Sequence, residues 1–359
     1  MTQQPADTGQ QPQAPDDLQA LLVVQAATLL AFEAGSAYAA TVALRTALAG
    51  LARSGNGRWL MAGGQPTANT ELPDVQREQI IRVLLGELQA VADGVASPDV
   101  LGPILEREAA AALRIGAQHA GQQATIAVDA ARLELDQIAR ALIDATPKAA
   151  GAHLAQAATM LERAKTGQDL QNALAEASRS VTAVNTGSTY LTNHVANDAA
   201  RQVSRMIGAK LLWIAERDAC VICLALAGTI SDPMIGLGFD ETATYGVAPA
   251  PDIWPPGMPL MRPPRHPHCR CQVCVWLGST PGQPDLPFAL RREAARSILK
   301  GWSLPSESNR VRLRAAEKLL HHGGHGLPQS VQEEAAHAVA RGRFHSRTVP
   351  HHHKESSHV

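Results

Sequence analysis

The residues best suited to chemistry sit in two short motifs. Cys220-Val-Ile-Cys223 is a C-x2-C pair. After 41 intervening residues comes Arg265-His266-Pro267-His268-Cys269-Arg270-Cys271, which places His266 after 42, with Cys274 three positions beyond Cys271. C-x2-C is the spacing at which two thiolates turn inward on one tight turn, and His266 with Cys269 repeats it as H-x2-C. Four such ligands satisfy the tetrahedral preference of Zn2+. The expected set is Cys220, Cys223, His266 and Cys269, with Cys271, Cys274 and His268 as alternates for the fourth position. Four protein ligands close a site, and a closed site is structural, because a catalytic zinc keeps a water position. Neither H-E-x-x-H nor H-x-E with P-C-x-x-C occurs, and no catalytic constellation is legible, so the reading is not an enzyme.

A disulfide framework is the competing reading. Five cysteines is an odd number, and no export signal precedes them, which argues against it. Inert thiols do not call for this pattern of spacings. The stretch between the motifs supplies a reason for a metal. It holds Pro249, Pro251, Pro255, Pro256, Pro259, Pro263 and Pro264, so it forms neither a long helix nor a central strand. Its modest apolar content does not offset the entropy of ordering it. One structural Zn2+ contributes about 10–16 kcal/mol in small peptide systems, enough to tie the two ends together.

The elements around these motifs follow from composition and period. Lys plus Arg is 32 against 33 for Asp plus Glu, which excludes a globally basic nucleic-acid binder. No window reaches 18 uncharged apolar residues, so no membrane span is expected. Aromatics are 3 % of the chain, which disfavours large sandwiches and barrels. The expected class is mainly α: an elongated helical N-terminal region, a small irregular zinc-stabilised module, then C-terminal helices. By parts, residues 1–17 read as a disordered arm, 18–218 as a helical scaffold and 219–283 as the Cys/His module. Residues 284–345 read as a basic helical region and 346–359 as a flexible tail.

Within the scaffold, Asp17 caps a helix expected to run from Leu18 to about Ala52, broken by Gly55, Gly57, Gly63, Gly64 and Pro66. A second helix covers about Val75 to Ala92, and a third starts after Pro103. Val128, Ala131, Leu135, Ile138, Leu142 and Ala145 form a heptad-like stripe. Pro147 and Gly151 punctuate, and Leu154, Ala158 and Leu161 line the next helix. Leu191, Val195, Ala199, Val203, Ile207 and Leu211 recur at steps of four. Many stripe residues are Ala, which bury little area each, so the helices read either as an ordinary bundle or as a scaffold docking onto other subunits.

Trp213-Ile214, Asp218, Cys220-Val-Ile-Cys223 and Gly228 are followed by Pro263-Pro264-Arg265-His266-Pro267-His268-Cys269-Arg270-Cys271. In this order, after a long helix, they resemble the Mu-type phage head morphogenesis family of minor head proteins. The resemblance covers residues 180–275. Val221 stands where the family often has Pro, and His268 where it often has Asn. The resemblance implies a virion component present in few copies, located in the head and in the host cytoplasm during assembly, with the portal and other capsid proteins as partners. Some relatives carry toxin, protease or ADP-ribosyltransferase fusions, but no sign of one is legible here.

The C-terminal quarter carries a basic excess, with helices expected at about 287–301, 306–322 and 329–341. Arg291, Arg292, Arg296 and Lys300 fall on the polar side of the first. This reads as a solvated face, or as weak contact with packaged DNA, which would be salt-dependent. His351-His352-His353 lies in the tail. The alternative function is a zinc-module nuclease or DNA-binding protein, which needs further His, Asp or Asn residues for a second metal. A secreted or injected effector is a third reading, for which no residue specifies a reaction.

Overall fold

The computed structural model describes residues 17–216, 219–239, 260–266, 269–278, 285–300, 308–323 and 329–343. The chain is mainly α-helical, as composition and periodicity predict. Helices α1 (Leu18–Met61), α2 (Asp74–Asp93), α3 (Pro98–Ala124), α4 (Gln137–Glu162) and α5 (Gly167–Ile207) form a bundle. Strand β1 (Lys210–Ile214), helix α6 (Val221–Leu226) and strands β2 (Ile230–Ser231) and β3 (Gln272–Trp276) follow. Helices α7 (Leu286–Lys300), α8 (Asn309–Gly323) and α9 (Gln329–Arg341) come last. Residues 1–16 of the arm, the tail with its histidines, Asp218 and His268 lie outside the described residues.

Local chemistry sets the helix ends. Asp17 accepts from the Ala20 amide at the start of α1, and Asp136 accepts from Ala139 at the start of α4. Thr166 and Asp169 form a reciprocal capping box on α5. Helix α1 runs past Ala52 to Met61 and takes Gly55 and Gly57 into its interior. Gly55 is buried with the Leu84 methyls at 3.4 Å from where a Cβ would stand, so close packing on α2 carries the helix through. The break comes at Gly63, with φ of 83°.

The stripe from Val128 to Ala145 is not one helix. Residues 125–136 separate α3 from α4, so only Ile138, Leu142 and Ala145 are α-helical, and Ala131 lies in a short 3-10 turn. Pro103 and Pro147 lie inside α3 and α4 rather than at their ends. A Cβ on Gly187 of α5 would stand 2.3 Å from Thr146 Oγ1. This close approach of α5 to α4 holds α4 together at Pro147, where one backbone hydrogen bond is lost.

Helix α5 is the hub, packed on α1, α3, α4 and β3. The sheet has the order β2-β1-β3, antiparallel throughout, with Leu211 opposite Ser231 and Leu212 opposite Cys274. Leu211 is therefore a strand residue rather than the end of the helical stripe. One apolar core runs from α1 through α5 to Trp213, Cys223, Cys269, Val273 and Val275. A second joins α6 to α7 and α8 through Val221, Leu224, Ala295 and Leu319. The C-terminal helices lie within a few residues of their expected bounds. Arg312 there is buried and donates to the Ile298 carbonyl at 3.1 Å, so it is not part of a solvated basic face.

One helix among the described residues, α1, is long and apolar enough to cross a membrane, with a hydropathy of 1.6 over its best window and 33 % of that window buried. Counting strictly uncharged apolar residues misses it, because Gln25 and Glu33 interrupt the run.

Candidate metal centre

The two motifs meet beside the middle of α5. Cys220 is the residue before α6, and its carbonyl accepts from the Leu224 amide at 2.9 Å, so one turn carries both Cys220 and Cys223. On the returning segment the Cys269 amide donates to the His266 carbonyl at 3.1 Å, which turns that pair likewise. Cys223 Sγ lies 3.6 Å from His266 Nε2 and 3.8 Å from Cys269 Sγ. His266 Nε2 lies 3.0 Å from Cys220 Sγ. Two ligand groups result, Cys220–Cys223–His266 and Cys223–Cys269–Cys271, with ligand atoms inside 4.8 Å in each. Cys223 belongs to both. Each of the two groups could hold a metal ion.

All four residues of the expected set are therefore gathered, and the alternate Cys271 joins them. Cys274 does not. It is the middle residue of β3, and side chains alternate across a strand. Its side chain packs with Leu212, Trp276 and Leu286 on the other face, where burial pushes its thiol up.

Protons are unevenly held in the cluster. The bond from Cys223 and the neighbouring His266 bring the Cys220 thiol down to about 4. Bonds from Cys223 and Cys271 lower Cys269 as well. Cys223 is raised through its bonds to Cys220 and Cys269, and Cys271 chiefly by burial. Thiolates are the metal-binding form, so a site with two readily ionised sulfurs is suited to a cation.

The scaffold positions both motifs through a polar core that sequence reasoning missed. Every residue of α5 from Tyr190 to Ala200 is buried, including Thr192, Asn193, His194, Asn197 and Asp198. Buried polar groups need partners, and here the partners come from the returning segment. Tyr190 donates its hydroxyl to the Pro264 carbonyl at 3.1 Å. Arg262, 3 % exposed, pairs with Asp136 and lies 3.1 Å from Asp198 Oδ1. His194 Nε2 lies 3.1 Å from both Asp136 oxygens. Burial pushes the Asp136 carboxyl up, but His194 and Arg262 outweigh it and hold it below the usual carboxylate range. Burial and Arg262, whose guanidinium lies 3.2 Å from His194 Nε2, lower His194 against the opposing pull of Asp136.

A second ladder fixes β3. Asn197 Oδ1 accepts from the Val273 amide at 2.8 Å, and Gln123 Oε1 accepts from the Val275 amide at 2.8 Å. The outer edge of β3 is thus satisfied by α5 and α3 side chains, leaving no open edge there. The sequence does carry a signal for this core: polar residues at 192–194 and 197–198 interrupt every face of α5 except the Leu191–Val195–Ala199 stripe.

A cavity of about 720 Å3 opens over the cluster, lined by Glu33, Tyr38, Glu216, Cys220, His266 and Arg270 among others. Burial raises the Glu33 carboxyl to about 7 against the opposing bond from Asn193, whose Nδ2 lies 2.8 Å away.

Comparison with protein-family models, with curated proteins and with solved structures finds no match for this chain.

Proposed function

We propose that the chain is a phage or prophage minor head protein, taking part in capsid assembly at or near the portal. In this reading the cluster holds one structural Zn2+ through Cys220, Cys223, His266 and Cys269. The observation that carries it is the meeting of two Cys/His motifs, 42 residues apart, against the long helix that precedes them. Their order resembles the Mu-type head family. Thiolate and imidazole donors suit zinc. In a tetrahedron with Zn–S near 2.3 Å and Zn–N near 2.0 Å, two sulfurs lie about 3.8 Å apart and a sulfur and nitrogen about 3.5 Å apart. The Cys223–Cys269 and Cys223–His266 separations of 3.8 and 3.6 Å agree with those edges, while Cys220 and His266, 3.0 Å apart, must separate by about 0.5 Å to admit the ion. Cys271 is then a spare thiol beside the fourth position. The ion clamps the returning segment to the scaffold. The bundle presents surface to the portal and other capsid proteins in the head, and the basic C-terminal helices make weak DNA contact.

Elemental analysis of the purified chain tests the metal: one zinc per chain is expected, falling to none in Cys223→Ser with the helical signal retained. Mass spectrometry of purified particles, with crosslinking to the portal protein, tests the assembly role. Absence from particles, together with normal particle yield after deletion of the gene, would overturn it.

A further inference from the structure

Helix α1 turns Gln25, Glu33, Ser36 and Thr41 inward, while Gln19 and Thr28 stay exposed at the margins of its outer face. Gln25 Nε2 donates to Gln122 Oε1 at 2.9 Å, Ser36 Oγ lies 3.1 Å from Ser188 Oγ, and Glu33 accepts from Asn193. Its outward face is apolar: Val23 is 67 % exposed, Val24 63 %, Tyr38 61 % and Leu30 47 %. Rolling the helix to bury these side chains would break the inner bonds, so the apolar face is fixed outward. The face is also uncharged. Between Asp17 and Arg45 the only ionisable acid or base is Glu33, which is buried. Asp17 and Arg45 are exposed at the two ends, and neither has an ion-pair partner among the described residues.

We propose that this face pairs, antiparallel, with the same face of a second copy of this chain, centred on Ala31. In that register Arg45 of each copy meets Asp17 of the other, and Val24 meets Tyr38. A parallel pairing would instead set Arg45 against Arg45 and Asp17 against Asp17, so charge selects the antiparallel arrangement. Such a pair is isologous and closes on itself. Twenty-eight residues at 1.5 Å rise give a seam about 42 Å long, which at about 10 Å width covers about 400 Å2 per copy. That is about half the footprint of a standard stable interface, so the dimer dissociates on dilution. The inference does not need a metal to be bound, although Leu30, Tyr38 and Arg45 also line the cavity over the cluster.

Sedimentation velocity of the full chain over a wide concentration range is the test. A reversible dimer is expected. Ala31→Glu, at an exposed position, sets two carboxylates face to face and yields a monomer with unchanged helical content. Arg45→Glu weakens the dimer by about tenfold through loss of two exposed ion pairs, and adding Asp17→Lys to it restores most of that loss. A monomer at every concentration would overturn the proposal, as would a dimer indifferent to Ala31→Glu or a double charge swap that restores nothing. Flotation of the chain with neutral lipid vesicles, abolished by Ala31→Glu, would assign the face to a membrane instead.

Discussion

The two halves of α5 live in different surroundings. From Gly167 to Val184 the helix lays Leu170, Ala173, Leu174, Ala177 and Val184 into an apolar seam with α1, α2 and α4. From Tyr190 to Ala200 it is buried all round, yet half of its side chains are polar. A helix buried on every face is ordinarily apolar on every face. The first half is held by area, which is forgiving of direction. The second is held by hydrogen bonds and charges, which are not. The strict half is the one against which the Cys/His motifs are placed, so metal-site geometry and fold stability are coupled there and separable at the other end.

The sharpest way to break this contrast is to cut each half once. Arg262→Met leaves Asp136 and Asp198 without their buried cation, which costs about 3–5 kcal/mol. It also frees the segment that presents His266, so metal affinity falls with it. Leu154→Ala, in the apolar seam and 1 % exposed, costs about 2–5 kcal/mol through the cavity it leaves. Metal stoichiometry stays unchanged in that variant. Denaturant unfolding and metal titration on both variants separate the cases. Equal loss of metal affinity in the two would remove the distinction between the halves.

Two carboxylates of the polar half give a pH signature of opposite signs. Asp136 is depressed in the fold, so its contribution is present at neutral pH and lost as pH falls below its unfolded value of 3.8. Glu33 is raised from 4.5 to about 7, so the folded chain binds the extra proton, and stability declines as pH rises between those values. Glu33→Gln keeps an acceptor for Asn193 and removes the titration. Relative to the parent, the variant gains up to about 3 kcal/mol between pH 4 and pH 8. A pH-independent difference between the two chains would show that Glu33 titrates alike in the folded and unfolded states.

These contrasts also show what the residues disclose in advance. Apolar period found the helices, because packing against α5 follows it; it misjudged ends where a tertiary contact overrides a local breaker, as at Gly55 and Pro147. Ligand spacing named Cys220, Cys223, His266 and Cys269, which the fold gathers into two groups sharing Cys223, since each pair is set by one local turn. It could not reject Cys274, which required knowing that residues 272–276 form a strand. The Asp136–His194–Arg262 clamp joins residues 58 to 126 positions apart, and no local pattern encodes such a meeting. What the chain does show is the cost of it: five polar side chains in the eleven residues from Tyr190 to Ala200.

The smallest expected effect is at the far end of α5. The Thr166 hydroxyl accepts from the Asp169 amide at 3.1 Å, and the Asp169 carboxylate accepts from the Thr166 amide at 3.0 Å. Thr166→Ala removes half of this box and costs about 1 kcal/mol. It frays the first turn of α5, and Leu170 is the first core residue to feel it. Fraying falls off within a turn or two, because each later amide is bonded four residues back. The cluster lies more than four turns further along, beside Tyr190 and Asn193, so its metal affinity is untouched. Amide exchange would rise at residues 167–170 and stay level from Tyr190 onward. Raised exchange at Asn193 or Asn197 would mean that the apolar half transmits strain to the polar half, and that α5 behaves as one unit.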